Sequence, residues 1–277
     1  KVKRAYIGIA DKARLWFSGG EPEYYKQITL PRLVRNPAAT ENGDYYMFGT
    51  TLGSLPDGPD ESVMYLLNSN LTLSSVSPVA TKTISSVGRN DKYAFFISVN
   101  KDLSSPMVTV YAKSTMEKTA APNYPQNIGG GCGAYLPDYA VFAGGFPNGD
   151  VSATHKSEVY AYSKSLAVTN LEPLGEARSI DSSGYFNGSA VFPGGSYYQR
   201  SSSYRWKNSR KVDIYNNSLT KTNAVLYNAA RGVHAVSTSE YLICTGGYVT
   251  SPASEPIFKM SVYNKSFTIS AIDTNGK

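Results

Sequence analysis

Tyr139-Ala140-Val141-Phe142-Ala143-Gly144-Gly145 is an apolar run that closes on a glycine pair. Four other stretches share its shape: Tyr45 to Thr51 (YYMFGTT), Tyr93 to Val99 (YAFFISV), Ser189 to Gly195 (SAVFPGG) and Tyr241 to Gly247 (YLICTGG). Aligned on Phe142, the anchors are Phe48, Phe96, Phe142, Phe192 and Cys244, separated by 48, 46, 50 and 52 residues. Each run is followed by a second apolar stretch ending in a tyrosine. These are Tyr65, Tyr111, Tyr162, Tyr215 and Tyr263, at separations of 46, 51, 53 and 48 residues. Two markers that stay in phase argue for one structural unit repeated along the chain. A period of about 50 residues with four strand-length runs fits one four-stranded sheet of an all-β array.

Within each unit four antiparallel strands are expected; in the third they fall near 128–135, 139–144, 158–163 and 166–172. The first two strands are joined by short turns such as Asn42-Gly43, Leu136-Pro137-Asp138 and Asn187-Gly188, and the last two by turns such as Asn216-Asn217-Ser218 and Asn264-Lys265-Ser266. Asn and Gly are expected there because tight hairpins need positive φ. The glycine pair has a related reason: without a β-carbon the backbone can take dihedrals and close approaches denied to other residues. The connections between second and third strands, near 52–61, 100–107, 146–157, 196–211 and 248–257, are longer and unlike one another. In a meander alternate connections emerge at the same end, so these five share one face.

Apolar run, Gly-Gly, variable loop and a strand ending in Tyr, in that order, resemble the kelch repeat. Val159-Tyr160-Ala161-Tyr162 and Val212-Asp213-Ile214-Tyr215 match its later part. The resemblance runs from roughly residue 30 to the end, and in the first two units Thr50-Thr51 and Ser98-Val99 replace Gly-Gly. It implies an all-β, kelch-like β-propeller of five four-stranded antiparallel blades, near 31–76, 77–120, 121–172, 173–224 and 225–277, with six blades as the alternative. Tyr24 to Leu30 (YYKQITL) reads as a strand that could close the ring, since an open ring leaves two unpaired edges. The motif specifies a fold and not an activity.

Residues 1–20 stand apart from the propeller, which is expected over 21–277. Lys3 to Ile9 and Ala13 to Phe17 read as the strands of a short hairpin turning at Ala10-Asp11-Lys12. Arg4, Tyr6 to Ile9, Ala13 and Arg14 resemble a short module of structural and tail proteins of phages and prophages of Gram-positive bacteria. That resemblance implies a virion or extracellular location and a hairpin that meets other tail proteins; an ordinary N-terminal hairpin, or part of a first blade, is the plainer alternative.

The chain has 277 residues, enough for one large all-β domain with a sizeable core. It has 22 Tyr and only 17% charged residues, so Ser, Thr and Asn carry much of the surface polarity. No apolar run is long enough for a membrane-spanning helix. No signal-peptide pattern opens the sequence. The net charge of +6 permits attraction to acidic surfaces without demanding nucleic acid, which is not expected as a partner. Cys132 and Cys244 are the only cysteines and lie in different units, so a buried free thiol is expected at Cys244 rather than a disulfide framework.

The connection Ser196 to Lys211 is the longest and places Tyr197, Tyr198, Tyr204 and Trp206 among Arg200, Arg205, Lys207, Arg210 and Lys211. Aromatic faces stack on sugars, and Tyr and Arg are typical interface anchors. Tyr197, Tyr198, Arg200, Tyr204, Arg205 and Trp206 are therefore the expected ligand-binding residues; the alternative is that the aromatics cap the neighbouring unit.

Asp57, Asp60 and Glu61 do not have EF-hand spacing, and Asp150 with His155 makes too small a set for a metal site. No paired-carboxylate, nucleophile-elbow or phosphate-cradling pattern is present, and two histidines are few for a copper or zinc centre. No cofactor, metal or catalytic residue is expected. The expectation is a non-enzymatic binding protein, phage or prophage tail-associated, recognising a bacterial surface glycan or protein through one loop face. A kelch-type protein–protein interaction module and a secreted carbohydrate-active enzyme are the alternatives.

Overall fold

The computed structural model describes residues 3–7, 13–17, 35–42, 45–51, 62–68, 70, 72–76, 83–99, 107–125, 128–129, 131–147, 154–199, 205–249, 255–256 and 259–273. Tyr24 to Leu30 lies outside them, as do Asp57, Asp60, Glu61 and Asp150. Every regular element among the described residues is a strand. Strands β1 (Lys3–Ile7) and β2 (Ala13–Phe17) pair as the N-terminal hairpin, Lys3 opposite Phe17 and Ile7 opposite Ala13.

The first sheet is the meander β3 (Arg35–Asn42), β4 (Tyr45–Thr51), β5 (Ser62–Asn68) and β6 (Leu73–Val76). The second is β7 (Thr83–Arg89), β8 (Tyr93–Val99), β9 (Met107–Ala112) and β10 (Lys118–Ala120). A short strand, β11 (Ile128–Gly129), precedes the third sheet. That sheet is β12 (Cys132–Tyr135), β13 (Tyr139–Ala143), β15 (Val159–Ser163) and β16 (Val168–Asn170), with β14 (Phe146–Pro147) between its middle strands.

The fourth is β17 (Gly184–Phe186), β18 (Ser189–Pro193), β21 (Lys211–Asn216) and β22 (Lys221–Val225), interrupted by a hairpin of β19 (Ser196–Gln199) and β20 (Arg205–Asn208). The fifth is β23 (His234–Ser237), β24 (Leu242–Thr245), β27 (Lys259–Tyr263) and β28 (Ile269–Asp273), interrupted by β25 (Tyr248–Val249) and β26 (Glu255–Pro256). A parallel pairing of Tyr135 with Arg89 joins the second and third into an eight-stranded sheet, which curls as a half-barrel. The expected strand 128–135 is split: Ile128 and Gly129 pair with Pro147 and Phe146, and only Cys132–Tyr135 joins the sheet.

Hydrophobic clusters fill the spaces between successive sheets. One joins the first and second sheets through Met64, Leu66, Phe96 and Tyr111, and one the second and third through Phe95, Val110, Phe142 and Tyr162. A third lies between sheets three and four, around Val141, Ala161, Phe192 and Tyr215. The fourth, between sheets four and five, holds Val191, Ile214, Cys244 and Tyr263. Alternate residues of one strand therefore enter different cores, as the two-residue period of a strand requires: Phe142 faces back toward the second sheet, Val141 forward toward the fourth. This is why the middle strands are apolar throughout rather than alternating.

The two sequence markers prove to be one contact. Phe96 meets Tyr111, Phe142 meets Tyr162 and Phe192 meets Tyr215 edge to face, at centroid distances of 5.7, 5.9 and 6.0 Å. Tyr111, Tyr162, Tyr215 and Tyr263 pair with Ala94, Ala140, Ala190 and Leu242, two residues before each anchor. In the first sheet that register position belongs to Leu67, opposite Tyr46; the expected marker Tyr65 sits two residues earlier, opposite Phe48.

The tyrosine hydroxyls bind successive units together. Tyr162 donates to the carbonyl of Pro122 (3.1 Å), Tyr215 to Glu172 (2.8 Å) and Tyr263 to Val225 (2.7 Å), each at or just past the last strand of the preceding sheet. Burial pushes all three phenols above their ordinary range, so they act as fixed donors. Tyr215→Phe is expected to cost about 1 kcal/mol, because it removes a part-buried hydrogen bond while leaving the ring's packing intact. Thermal melts of the single variants would show it; no change in any of them would mean that water replaces the hydroxyl.

The third-to-fourth-strand turns depart from expectation. Positive φ falls on Met116 (58°), Leu166 (64°), Leu219 (61°) and Phe267 (56°), not on the Asn or Ser residues. Those residues cap instead: Asn216 Oδ1 accepts from the amides of Ser218 and Thr220, and Asn264 Oδ1 from Ser266 and Thr268, all at 3.0 Å. The left-handed conformation costs an L-residue about 1–2 kcal/mol. It turns each apolar side chain back against an inter-sheet core, where its partial burial contributes a share of the about 1.5–3 kcal/mol that full burial would bring. Asn187 (47°) and Gly188 (75°) do behave as expected for a two-residue hairpin.

At the short-turn end, the first turns of the second, third and fourth sheets each reach the last turn of the next sheet. Asp91 meets Lys164 (3.7 Å), Asp138 binds Asn217 through backbone and side chain, and Asn187 donates to the Lys265 carbonyl (3.0 Å). One spatial step therefore repeats from sheet two to sheet five.

Candidate recognition surface

The residues expected to bind ligand sit on the excursion between β18 and β21. Its base is a hairpin rather than a loop: Ser196, Tyr197, Tyr198 and Gln199 pair with Asn208, Lys207, Trp206 and Arg205. Alternation sends Tyr198 and Trp206 to one side, their rings 5.4 Å apart at 75°. His155, from the third sheet's connection, lies 5.8 Å from the Trp206 ring and 5.8 Å from Phe146, edge to face in both cases. Arg231, from the link between fourth and fifth sheets, places its guanidinium 5.8 Å over the Trp206 ring. Groups from three consecutive units thus meet at Trp206. Tyr197, Tyr198 and Trp206 are half-buried and His155 is 4% exposed.

Hydrogen bonds hold the outer edge of β19. The Ser196 amide donates to the Ser179 carbonyl (3.0 Å), and the Tyr198 amide donates to His155 Nδ1 (3.3 Å). On the hairpin's other side Tyr197 lies by Glu176. Burial, then the Glu176 charge and a hydrogen bond to it, raise the Tyr197 phenol above its ordinary range. Ser209 donates to Glu176 Oε2 at 2.5 Å.

Beneath the hairpin, where β18 and β21 part, lies Arg178, fully buried. Its Nε donates to the Gly194 carbonyl (2.6 Å) and its Nη2 to the Phe192 carbonyl (3.1 Å), while Nη2 also meets Asp213 Oδ2 at 2.7 Å. Asp213 is buried too and accepts at Oδ1 from the Gly175 amide (2.8 Å), with Lys221 Nζ at 3.2 Å. The guanidinium thus closes over the carbonyls of Phe192 and Gly194 at the end of β18, where the excursion begins.

Of the six expected residues, Tyr197, Tyr198 and Trp206 share this hairpin. Arg205 has its backbone in β20, and Arg200 and Tyr204 lie outside the described residues. Sequence reasoning missed Phe146, Arg231, Glu176 and Arg178 as neighbours. For Asp213 a signal existed, a lone carboxylate inside the apolar run Val212-Asp213-Ile214-Tyr215. His155, considered there for metal, is instead part of the ring cluster. Both cysteines are free, and burial pushes both thiols up to about 12. Among the described residues no three His, Cys, Asp or Glu side chains converge. No helix among them is long and apolar enough to cross a membrane.

No protein-family model and no curated protein matches the chain. Among solved structures, one titled "Structure of YjhT" is similar in fold, with a TM-score of 0.71 at 11% identity over 98% of this chain and 96% of that one. The likeness is one of fold, compatible with a β-propeller-like module.

Proposed function

We propose that this chain is a non-enzymatic recognition module built as a kelch-like propeller of five four-stranded blades. The support for a ring is the burial of Tyr65 (4% exposed) and Leu67 (8%). In the later sheets the corresponding tyrosine face packs on the preceding sheet, and the first sheet buries the same face. Its buried face needs a cover, which the fifth sheet would supply.

The rim carrying the long connections is the binding surface, and its expected ligand is a bacterial surface glycan or protein. The convergence of three units on the half-buried Trp206 carries this reading: aromatic faces and a guanidinium brought together from separate elements form a composite surface rather than a solvated loop. A phage or prophage tail is the setting suggested by the resemblance of Arg4, Tyr6 to Ile9, Ala13 and Arg14, with the hairpin meeting other tail proteins. A kelch-type protein–protein interaction module is the reading that fold likeness alone would favour.

Glycan and cell-wall arrays, run beside a pull-down from bacterial surface extract, separate these. The expected result is glycan or cell-wall binding that falls at least tenfold in a Trp206→Ala, Arg205→Ala double variant, about 1.4 kcal/mol. Binding left intact by that double change sinks the site assignment. Capture of a protein with no array signal favours the interaction module, and turnover of chromogenic sugars the enzyme.

A further inference from the structure

We propose that His155 is an acid-sensitive latch that sets the position of the β19–β20 hairpin. The outward edge of β19 presents two amides, of Ser196 and Tyr198, which a sheet edge must satisfy. The first has a backbone acceptor in Ser179, and the second has the ring nitrogen of His155. An imidazole nitrogen accepts a hydrogen bond only when it carries no proton. The contact therefore requires the neutral ring.

Protonation at Nδ1 turns acceptor into donor and sets two N–H groups against each other. It also creates a cation on a ring that is 4% exposed and packed between Phe146 and Trp206. Of the charged side chains described nearby, Lys156 follows it in the chain and Arg231 lies over the far partner ring. Glu158, three residues on, is tied to the Ser157 amide at 3.0 Å. Histidine changes charge in the range just below neutrality, the only side chain that ordinarily does so there. Acidification thus releases the hairpin from the third sheet's connection. Loosening Trp206 is the consequence for binding, and that part alone rests on the reading of this rim as the recognition surface.

The test needs no ligand. In a Trp16→Phe, His234→Gln background, Trp206 and His155 are the only residues of their kinds. Hydrogen exchange over 196–208, corrected for intrinsic rates, is expected to show protection at least tenfold lower at pH 5 than at pH 7.5. Trp206 emission is expected to change with the same midpoint as the His155 ring signals in NMR. His155→Asn, whose amide oxygen accepts without titrating, is expected to abolish both changes.

Protection that is independent of pH in the background protein overturns the proposal, and so does an equal pH dependence in His155→Asn. If His155→Asn does not fold at pH 7.5, the background protein decides alone: separate midpoints for Trp206 emission and the His155 ring overturn it. A binding surface elsewhere would appear as binding that survives the Trp206 change and would leave these readouts unaffected.

Discussion

Replacing Asp213 by Ala is expected to destabilise the chain by about 3–5 kcal/mol, among the largest losses available from one side chain. Asp213 and Arg178 are both fully buried and 2.7 Å apart. Removing the carboxylate leaves the guanidinium in the core without its counter-charge and beside a second cation, Lys221, whose Nζ lies 3.2 Å from the position vacated. It also strands the Gly175 amide. Arg178→Met should be severe for a different reason, since the carbonyls of Gly194 and Phe192 lose their donor at the root of the hairpin.

The double variant is expected to lose less than the sum of the singles, because each removal eliminates the charge that the other leaves unpaired. Chemical denaturation followed by circular dichroism would measure all three. A loss below about 1 kcal/mol in Asp213→Ala would mean that water reaches the pair, and the account of a dry ion pair would fall.

The second large effect is expected at Gly195. Its φ of +106° is a conformation that L-residues rarely adopt, and a β-carbon there would stand 2.1 Å from the Ser179 carbonyl oxygen. That oxygen accepts the Ser196 amide, so it cannot retreat without breaking the bridge that docks the hairpin on the segment leading into the fourth sheet. Gly195→Ala is therefore expected to cost several kcal/mol, about 3 or more, combining backbone strain with a forced displacement.

Gly188 is the control. Its φ is also positive, at +75°, but nothing lies within 4 Å of its would-be β-carbon. Gly188→Ala should cost only the conformational term, about 1–2 kcal/mol. Equal melting temperatures for the two variants would show that close approach contributes nothing beyond φ.

The glycine pairs show how far the sequence could be read. Their recurrence after an apolar run marks where a buried strand leaves its sheet, and all six glycines at 144–145, 194–195 and 246–247 do have positive φ. The backbone they would collide with belongs to segments that enter a sheet: Arg178, leading into the next sheet, for Gly144, and Ser179 and Arg231, leading into their own sheets, for Gly195 and Gly247. Ser179 and Arg231 stand 52 residues apart, in step with Gly195 and Gly247, but they differ in residue type, so nothing in the sequence marks them as the partners. The third-to-fourth-strand turns were legible as turns but not in mechanism. Asn216 and Leu219 together look like an Asn-led turn, and only the core behind it explains why leucine takes the left-handed conformation.

The recognition surface was half legible. Tyr197, Tyr198 and Trp206 stand out as aromatics in a polar stretch. His155 and Arg231, which complete the cluster around Trp206, lie in other units and look like ordinary loop residues in sequence.

The chain by itself determined the repeat, the number of strands in a unit and the hairpin that opens it, because these follow from apolar periodicity and turn chemistry, which are local. Tertiary structure decided which side chains share a site, where a buried charge finds its counter-charge and which turn residues bear strain. Those outcomes depend on contacts between units, and the energy of such contacts is set by burial and distance in space rather than by position along the chain.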